Sequence, residues 1–312
     1  MPTTESQSAA TVLMIRPARF GFNPQTASSN AFQRAPTAEP AGPRAAALAE
    51  FDAAVAALRR AGVEVIVAED TPDPPKPDAV FPNNWVSFHR DGRVVLYPMQ
   101  APSRRAERRE ALIEELAQTG GFHISGSVDL AYREAEGKFL EGTGSLVLDR
   151  CAHVAYACLS PRTDLDVLGE FAQRLDYEPL AFEAFDRQGR PIYHTNVLMA
   201  VGSGFAVVCA EAIADPRQRE QVLSRLAATG HEIVEITQPQ MASFAGNCLE
   251  LSAPQGPVVV MSEAAWGSLQ GAQRAVLERQ GPVLRIAIPT IESIGGGGIR
   301  CMLAEVHLPK RL

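Results

Sequence analysis

No run in this 312-residue chain approaches the roughly 18 consecutive apolar residues that a membrane-crossing helix requires. Basic residues do not predominate either: 29 Lys and Arg face 36 Asp and Glu, and the net charge of -7 argues against a nucleic-acid binder or a protein held on anionic lipid. Cysteine is scarce. The five present, at 151, 158, 209, 248 and 301, form an odd set without a CxxC pair. A cytoplasmic protein with reduced thiols is therefore expected rather than a disulfide scaffold. The first ten residues, MPTTESQSAA, carry no basic segment ahead of a long apolar one, and no secretory leader is expected. A Gly-rich fingerprint is also missing after the first β-like run, where the turn reads RPARFGFNP, unlike the first turn of a doubly wound sheet.

What is present is ordinary globular composition, 46% apolar and 21% charged, with length enough for a sizeable core. Helical periodicity appears over Arg44–Ala61, Ser103–Thr119, Arg162–Leu175, Pro216–Thr229 and Ser268–Gln280. Four of these close at a glycine, Gly62, Gly120, Gly230 or Gly281. Each is followed by a short β-like run (VEVIVA, FHIS, YEPLAF, HEIVEI, PVLRIAI), and each is preceded by others, such as TVLMI, VVLYP, SLVLD with HVAYA, FAVVCA and PVVVM. The helix starts recur about every 50–60 residues, which is the signature of a ring of similar units. The expected fold is α/β, a five-bladed propeller of ββαβ-like repeats forming one domain over residues 1–312. Another mixed α/β arrangement is the alternative.

The chemistry concentrates near the end of the chain. Residues 293–301 read SIGGGGIRC, and four successive glycines are entropically costly unless backbone must approach a ligand. A phosphate cradle would need a Lys-Ser/Thr and a following helix, and neither is there. A loop presenting Cys301 as a nucleophile fits better, because MLAEVHL after it alternates like an ordered strand. Cys151, Cys158, Cys209 and Cys248 read as inert packing. A cysteine nucleophile needs an acid/base partner. Of six histidines His194, in YHTNVLMAVG, leads. His89 sits at an expected hairpin turn and reads as solvated, while His123, His153 and His231 have no polar company in the sequence. Glu141, in FLEGTGSLVL, either orients a histidine, contacts a ligand, or is an ordinary turn carboxylate. Asp78, Asn83 and Asn84, in DAVFPNNWVSF, are either turn formers or readers of a substrate's hydrogen-bond pattern. The polar stretch Phe20–Asn30 is a candidate lid.

Six segments stand in an order that resembles the pentein superfamily, which includes arginine deiminases, dimethylarginine dimethylaminohydrolases and amidinotransferases: D-x-V-F-P-N-N (78–84), S-R-R (103–105), L-E-G-T-G (140–144), S-P-R-T (160–163), H-T-N (194–196) and G-G-G-x-x-C (296–301). The resemblance implies a five-bladed α/β propeller with an axial site. It implies Cys301, His194 and Glu141 as the catalytic set, Arg104 and Arg162 as holders of a substrate carboxylate, and Asp78 as a substrate contact. Guanidine-processing relatives commonly carry an aspartate where this chain has Asn84, and arginine deiminases another where it has Asn196. Asparagine offers both a donor and an acceptor, which suits a neutral ureido group better than a guanidinium whose burial needs counter-charge. The chain therefore most resembles bacterial citrulline-utilisation hydrolases of the CtlX type. The resemblance implies a cysteine hydrolase taking citrulline to ornithine, ammonia and carbon dioxide, with no metal or cofactor. The partners expected are an amino-acid substrate, no nucleic acid and no membrane, with a homodimer as the candidate assembly. The rivals are an enzyme of arginine-like substrates (deiminase, dimethylaminohydrolase or amidinotransferase) and a non-catalytic binding protein on the same propeller.

Overall fold

The computed structural model describes residues 5–35, 41–118 and 120–311. Among them are five sheets of three strands each, and each repeats one pattern: an antiparallel pair, a crossover, and a third strand parallel to the middle one. The first blade holds Val86–Phe88, Arg93–Leu96 and Gly126–Asp129, and the second Leu146–Asp149, Val154–Cys158 and Glu178–Phe182. Met199–Val201, Phe205–Val208 and Glu232–Glu235 form the third, and Leu249–Ala253, Gly256–Ser262 and Val283–Ile286 the fourth. The fifth closes the ring with both ends of the chain. Thr11–Arg16 runs parallel to Glu64–Glu69 and antiparallel to Ala304–Glu305, with Val12 opposite Glu305. The molecule is thus a five-bladed α/β propeller.

Local chemistry explains the pattern. An antiparallel pair needs only a tight turn, whereas the parallel third strand requires a crossover, which the helices supply. The middle strands are sheltered by sheet neighbours and helices, so they read as continuous apolar runs such as VAYAC and FAVV, buried throughout. Helix Leu165–Leu175 buries Val167, Leu168, Phe171, Ala172 and Leu175 as one stripe.

Helix boundaries differ from the periodicity reading in ways that matter for the site. The helix expected from Arg162 begins at Leu165, because the Asp164 carboxylate caps it by accepting from the Asp166 and Val167 N–H groups. Arg162 is thereby left in a turn. The helix expected over 103–119 is two pieces, Pro102–Arg105 and Glu110–Gln118, with Thr119 outside the described residues. The break lets Arg104 turn inward to a buried partner, Glu107, while Leu112 and Leu116 pack in the core. The last helix starts at Gly271, behind a separate turn over Glu263–Ser268.

The first strand of each of the first four blades is preceded by a short inward turn, and a fifth turn precedes Ala304–Glu305. These turns are Pro82–Asn84, Gly142–Ser145, Thr195–Leu198, the bend ending at Asn247, and Ile299–Met302. Gly142–Ser145 packs against both Pro82–Asn84 and Thr195–Leu198, and Pro82–Asn84 packs against Ile299–Met302. Five equivalent positions are thus gathered at one end of the axis.

Candidate active site

Three of these turns bring Asn84, His194 and Cys301 to a shared cavity, and the other two bring Glu141 and Asn247 to hydrogen-bond distance behind His194 and Cys301. Glu141 and His194 are the residues immediately preceding their turns, and both are buried. His194 Nε2 lies 2.9 Å from Glu141 Oε2. A carboxylate only accepts, so Nε2 carries the proton and Nδ1 is left as a free base. Nδ1 and the Asn84 Nδ2 both reach over Gly144, where a Cβ would sit 2.7 Å from the first and 2.4 Å from the second. Only glycine leaves that space open.

Cys301 opposes them. The cavity is lined by Cys301, His194, Asn84, Asp78, Arg104 and Arg162, with Thr26, Asn30, Phe81, Tyr193 and residues 295–297 completing the wall. Two side-chain amides touch the sulfur: Asn247 Nδ2 at 3.3 Å and Asn196 Nδ2 at 3.4 Å. The glycine run lets backbone approach from the other side. Gly296 has φ +67°, and a Cβ there would lie 2.7 Å from the Asn30 amide nitrogen. Tyr193 holds the run in place, its hydroxyl donating to Gly296 O at 2.5 Å.

The two arginines do more than line the wall. Arg104 donates from Nε and Nη2 to the two Glu107 oxygens, both at 2.9 Å, and from Nη1 to Asn84 Oδ1 at 3.0 Å. Three of its five N–H groups are thus committed, one of them to fixing the Asn84 amide, and the guanidinium still lines the cavity. Arg162 donates to the Ser29 hydroxyl and the Thr26 carbonyl, packs over the Tyr193 ring, and pairs with Glu141 at 3.4 Å. Its outer edge thus meets the Phe20–Asn30 segment, which roofs the cavity and leaves room for about one water molecule.

Asn84 Nδ2, Asp78 Oδ1 and Asn196 Oδ1 are buried without a protein partner. Asp78 Oδ2 accepts from Asn23 at 2.7 Å, which leaves Oδ1 for the cavity. Asn83 lies behind Asn84, with its carbonyl against Thr143, and is not part of the cavity lining. A wider groove nearby, with Phe32, Phe244 and Glu292 in its wall, holds none of the expected residues.

Burial pushes the Cys301 thiol up, against the pull of Asn247, Arg300 and Asn196. It also pushes His194 down to about 4, overriding the Glu141 carboxylate. For Glu141 the balance runs the other way: burial raises it, but Arg162, His194 and Arg104 together hold it well below the ordinary carboxylate range. The resting site is then a neutral thiol beside a neutral imidazole and an ionised Glu141. A stability consequence follows. The unfolded chain takes up a proton on His194 near its ordinary 6.5, while the folded chain resists until about 4. Stability contributed by neutral His194 is therefore lost as pH falls through that window, by about 3 kcal/mol from this residue. Urea unfolding at pH 7 and pH 4.5 should show a smaller pH dependence in His194→Gln than in the wild type; equal dependence would contradict it.

Several expectations about other residues change. His89 is not solvated but buried, 2.8 Å from the Ser87 hydroxyl and tilted against Phe171. Cys151 is exposed rather than packed in the core, whereas Cys158, Cys209 and Cys248 are buried. His231 gains polar company from Thr229 and the Gly202 carbonyl. Asn247, Asn23 and Glu107 were not anticipated. Asn247 alone carried a signal, its place just before a blade's first strand.

Among the described residues no helix is long and apolar enough to cross a membrane. The five-bladed ring with a polar site at one end of its axis is the pentein architecture. The family model for eukaryotic N,N dimethylarginine dimethylhydrolase matches residues 16–308, and the chain belongs to that family, hydrolases of carbon–nitrogen bonds within the pentein superfamily. Among solved structures it is similar to the N-terminal domain of ArgZ, an arginine dihydrolase from the ornithine-ammonia cycle in cyanobacteria, as a cysteine-to-serine variant bound to substrate. That match has a TM-score of 0.72 and 18% identity over 95% of this chain and 97% of that one. AgrE, as a cysteine-to-alanine variant with L-arginine, gives a TM-score of 0.72 and 20% identity over 95% of this chain, which spans only 40% of AgrE. A histidine-to-glycine variant of dimethylarginine dimethylaminohydrolase, in an adduct with S-methyl-L-thiocitrulline, gives 0.63 and 17% over 95% and 99%. At these identities the likeness is one of fold. No curated protein matches the chain by sequence.

Proposed function

We propose that this hydrolase acts on L-citrulline, releasing ornithine, ammonia and carbon dioxide through a covalent intermediate on Cys301. The observation that carries the reading is the orientation of Asn84. Arginine has only donors, so the 3.0 Å contact from Arg104 requires Oδ1 to face it, and Nδ2 must then face the cavity. An N–H donor there matches a ureido oxygen; a guanidinium has no acceptor to offer it. Asp78 Oδ1 and Asn196 Oδ1 supply acceptors for the substrate N–H groups.

In this mechanism the Phe20–Asn30 roof moves aside to admit substrate, and the α-carboxylate replaces Ser29 and Thr26 on the Arg162 fork. The sulfur attacks the ureido carbon as its proton passes to His194 Nδ1, with Glu141 steadying the imidazolium. Backbone N–H groups of the glycine run, with Asn84, take up charge on the oxygen. His194 returns the proton to the departing nitrogen. It next draws a proton from water, which cleaves the thioester-like bond and restores the thiol. The resulting carbamate falls apart to amine and carbon dioxide. All five cysteines are free, which supports a reducing, cytoplasmic setting.

A second reading, an arginine-like substrate, is favoured by the unpartnered carboxylate oxygen of Asp78 and by the arginine-processing neighbours. Separate incubations with citrulline, arginine and N,N-dimethylarginine, assayed for ornithine, citrulline and ammonia, distinguish the two. Ornithine and ammonia should appear fastest from citrulline. Faster turnover of either arginine compound would overturn the proposal.

A further inference from the structure

We propose that Asn247 is a further member of the reacting centre, a side-chain amide that donates to the Cys301 sulfur and stabilises it as a thiolate. The inference rests on the reading of Cys301 as nucleophile. Asn247 ends the bend just ahead of Leu249–Ala253, so it occupies in the fourth blade the place that Asn84 occupies ahead of Val86–Phe88 in the first.

Its amide is fully committed. Nδ2 lies 3.3 Å from Sγ and 2.9 Å from the Asn196 carbonyl, while Oδ1 accepts the Arg300 backbone N–H at 3.0 Å. The carbonyl needs a donor and the N–H needs an acceptor, so the amide cannot be turned over. Its NH2 therefore faces the sulfur whatever the sulfur's protonation state. Asn196 Nδ2, at 3.4 Å, is a second neutral donor on the same atom. Donors that converge on sulfur favour the anion over the thiol, since only the anion accepts without competing for direction with its own proton. A neutral substrate brings no positive charge to assist ionisation, which increases the weight of these two amides. The same side chain braces the turn that carries Cys301: a Cβ on Gly298 would lie 2.5 Å from Asn247 Oδ1.

The charged and titratable groups around the thiol are Arg300 on its own turn, with Asp78, Arg104, Arg162, Tyr193 and His194 across the cavity. None is altered in the following test. The pH profile of Cys301 alkylation by iodoacetamide is read by peptide mass spectrometry for the full-length wild type, Asn247→Ala and Asn247→Asp. Folding of each is checked by circular dichroism and thermal melting. Asn247→Asp keeps an oxygen for the Arg300 N–H and nearly the same shape but puts a carboxylate where the donor stood, so its profile reports whether this position acts on the sulfur, while Asn247→Ala reports the loss of the donor. The expected result is a midpoint higher by about one pH unit in Asn247→Ala, about tenfold slower labelling at neutral pH, and a larger shift in Asn247→Asp. If Asn247→Ala does not fold, Asn247→Asp decides by the same comparison. A labelled wild type with unshifted profiles in the folded variants overturns this inference alone. Undiminished citrulline turnover by a folded Cys301→Ala variant overturns the nucleophile reading and this inference with it.

Discussion

Cys301→Ala is expected to lower citrulline turnover by at least about 10⁴-fold while leaving the melting transition close to that of the wild type. The size of the effect follows from the chemistry: among the described residues no second thiol lines the cavity, and water alone lacks the covalent step that divides the reaction into two easier ones. The small structural cost follows from the packing. Cys301 is buried and belongs to an apolar cluster with Phe81 and Ile299, but its sulfur also faces the cavity and two amides, and alanine removes only that one atom. The variant should also retain citrulline binding, since Asp78, Asn84 and Arg162 are untouched. Ornithine release and a thermal melt measured on one preparation check both halves. Substantial turnover by a folded variant would remove Cys301 from the mechanism.

Asn84→Asp is expected to lower kcat/KM for citrulline by about 10²–10³-fold, the range found when one oxyanion donor is removed, and to raise activity on arginine. One carboxylate oxygen would take over the contact with Arg104. The other would face the cavity where Nδ2 now stands, exchanging a donor for a charged acceptor in a buried site. The ureido oxygen loses its partner and meets repulsion, whereas a guanidinium gains a counter-ion. Parallel kinetics on both substrates measure the change. An unaltered citrulline-to-arginine ratio would mean that Asn84 does not read the reacting group.

Much of this architecture was legible because the repeat is written in local physics. Apolar runs, helical stripes and glycine stops recur at a regular interval, and a ring is the arrangement that lets every unit bury its faces against like neighbours. Glu141, His194 and Cys301 were legible through motifs that sit at equivalent turns. The surroundings of the arginines were not. Arg104 meets Glu107 only because the helix is broken, and that break depends on tertiary burial which periodicity does not register. Arg162 reads as helical until the Asp164 cap is seen to start the helix after it. Asn247 was masked by Cys248 and the apolar run that follows, which draw the eye to the strand rather than to the turn before it. Asn23 lies in a polar loop, and only folding brings it 2.7 Å from Asp78.

The most direct test of the covalent mechanism is a rapid acid quench of the wild-type enzyme during turnover of citrulline labelled with carbon-13 at the ureido carbon, followed by mass spectrometry of the peptide containing Cys301. The mechanism predicts a labelled adduct on that peptide, formed before ornithine accumulates and gone when substrate is exhausted. Full turnover with Cys301 unmodified at every quench time, or label carried on another side chain, would contradict it.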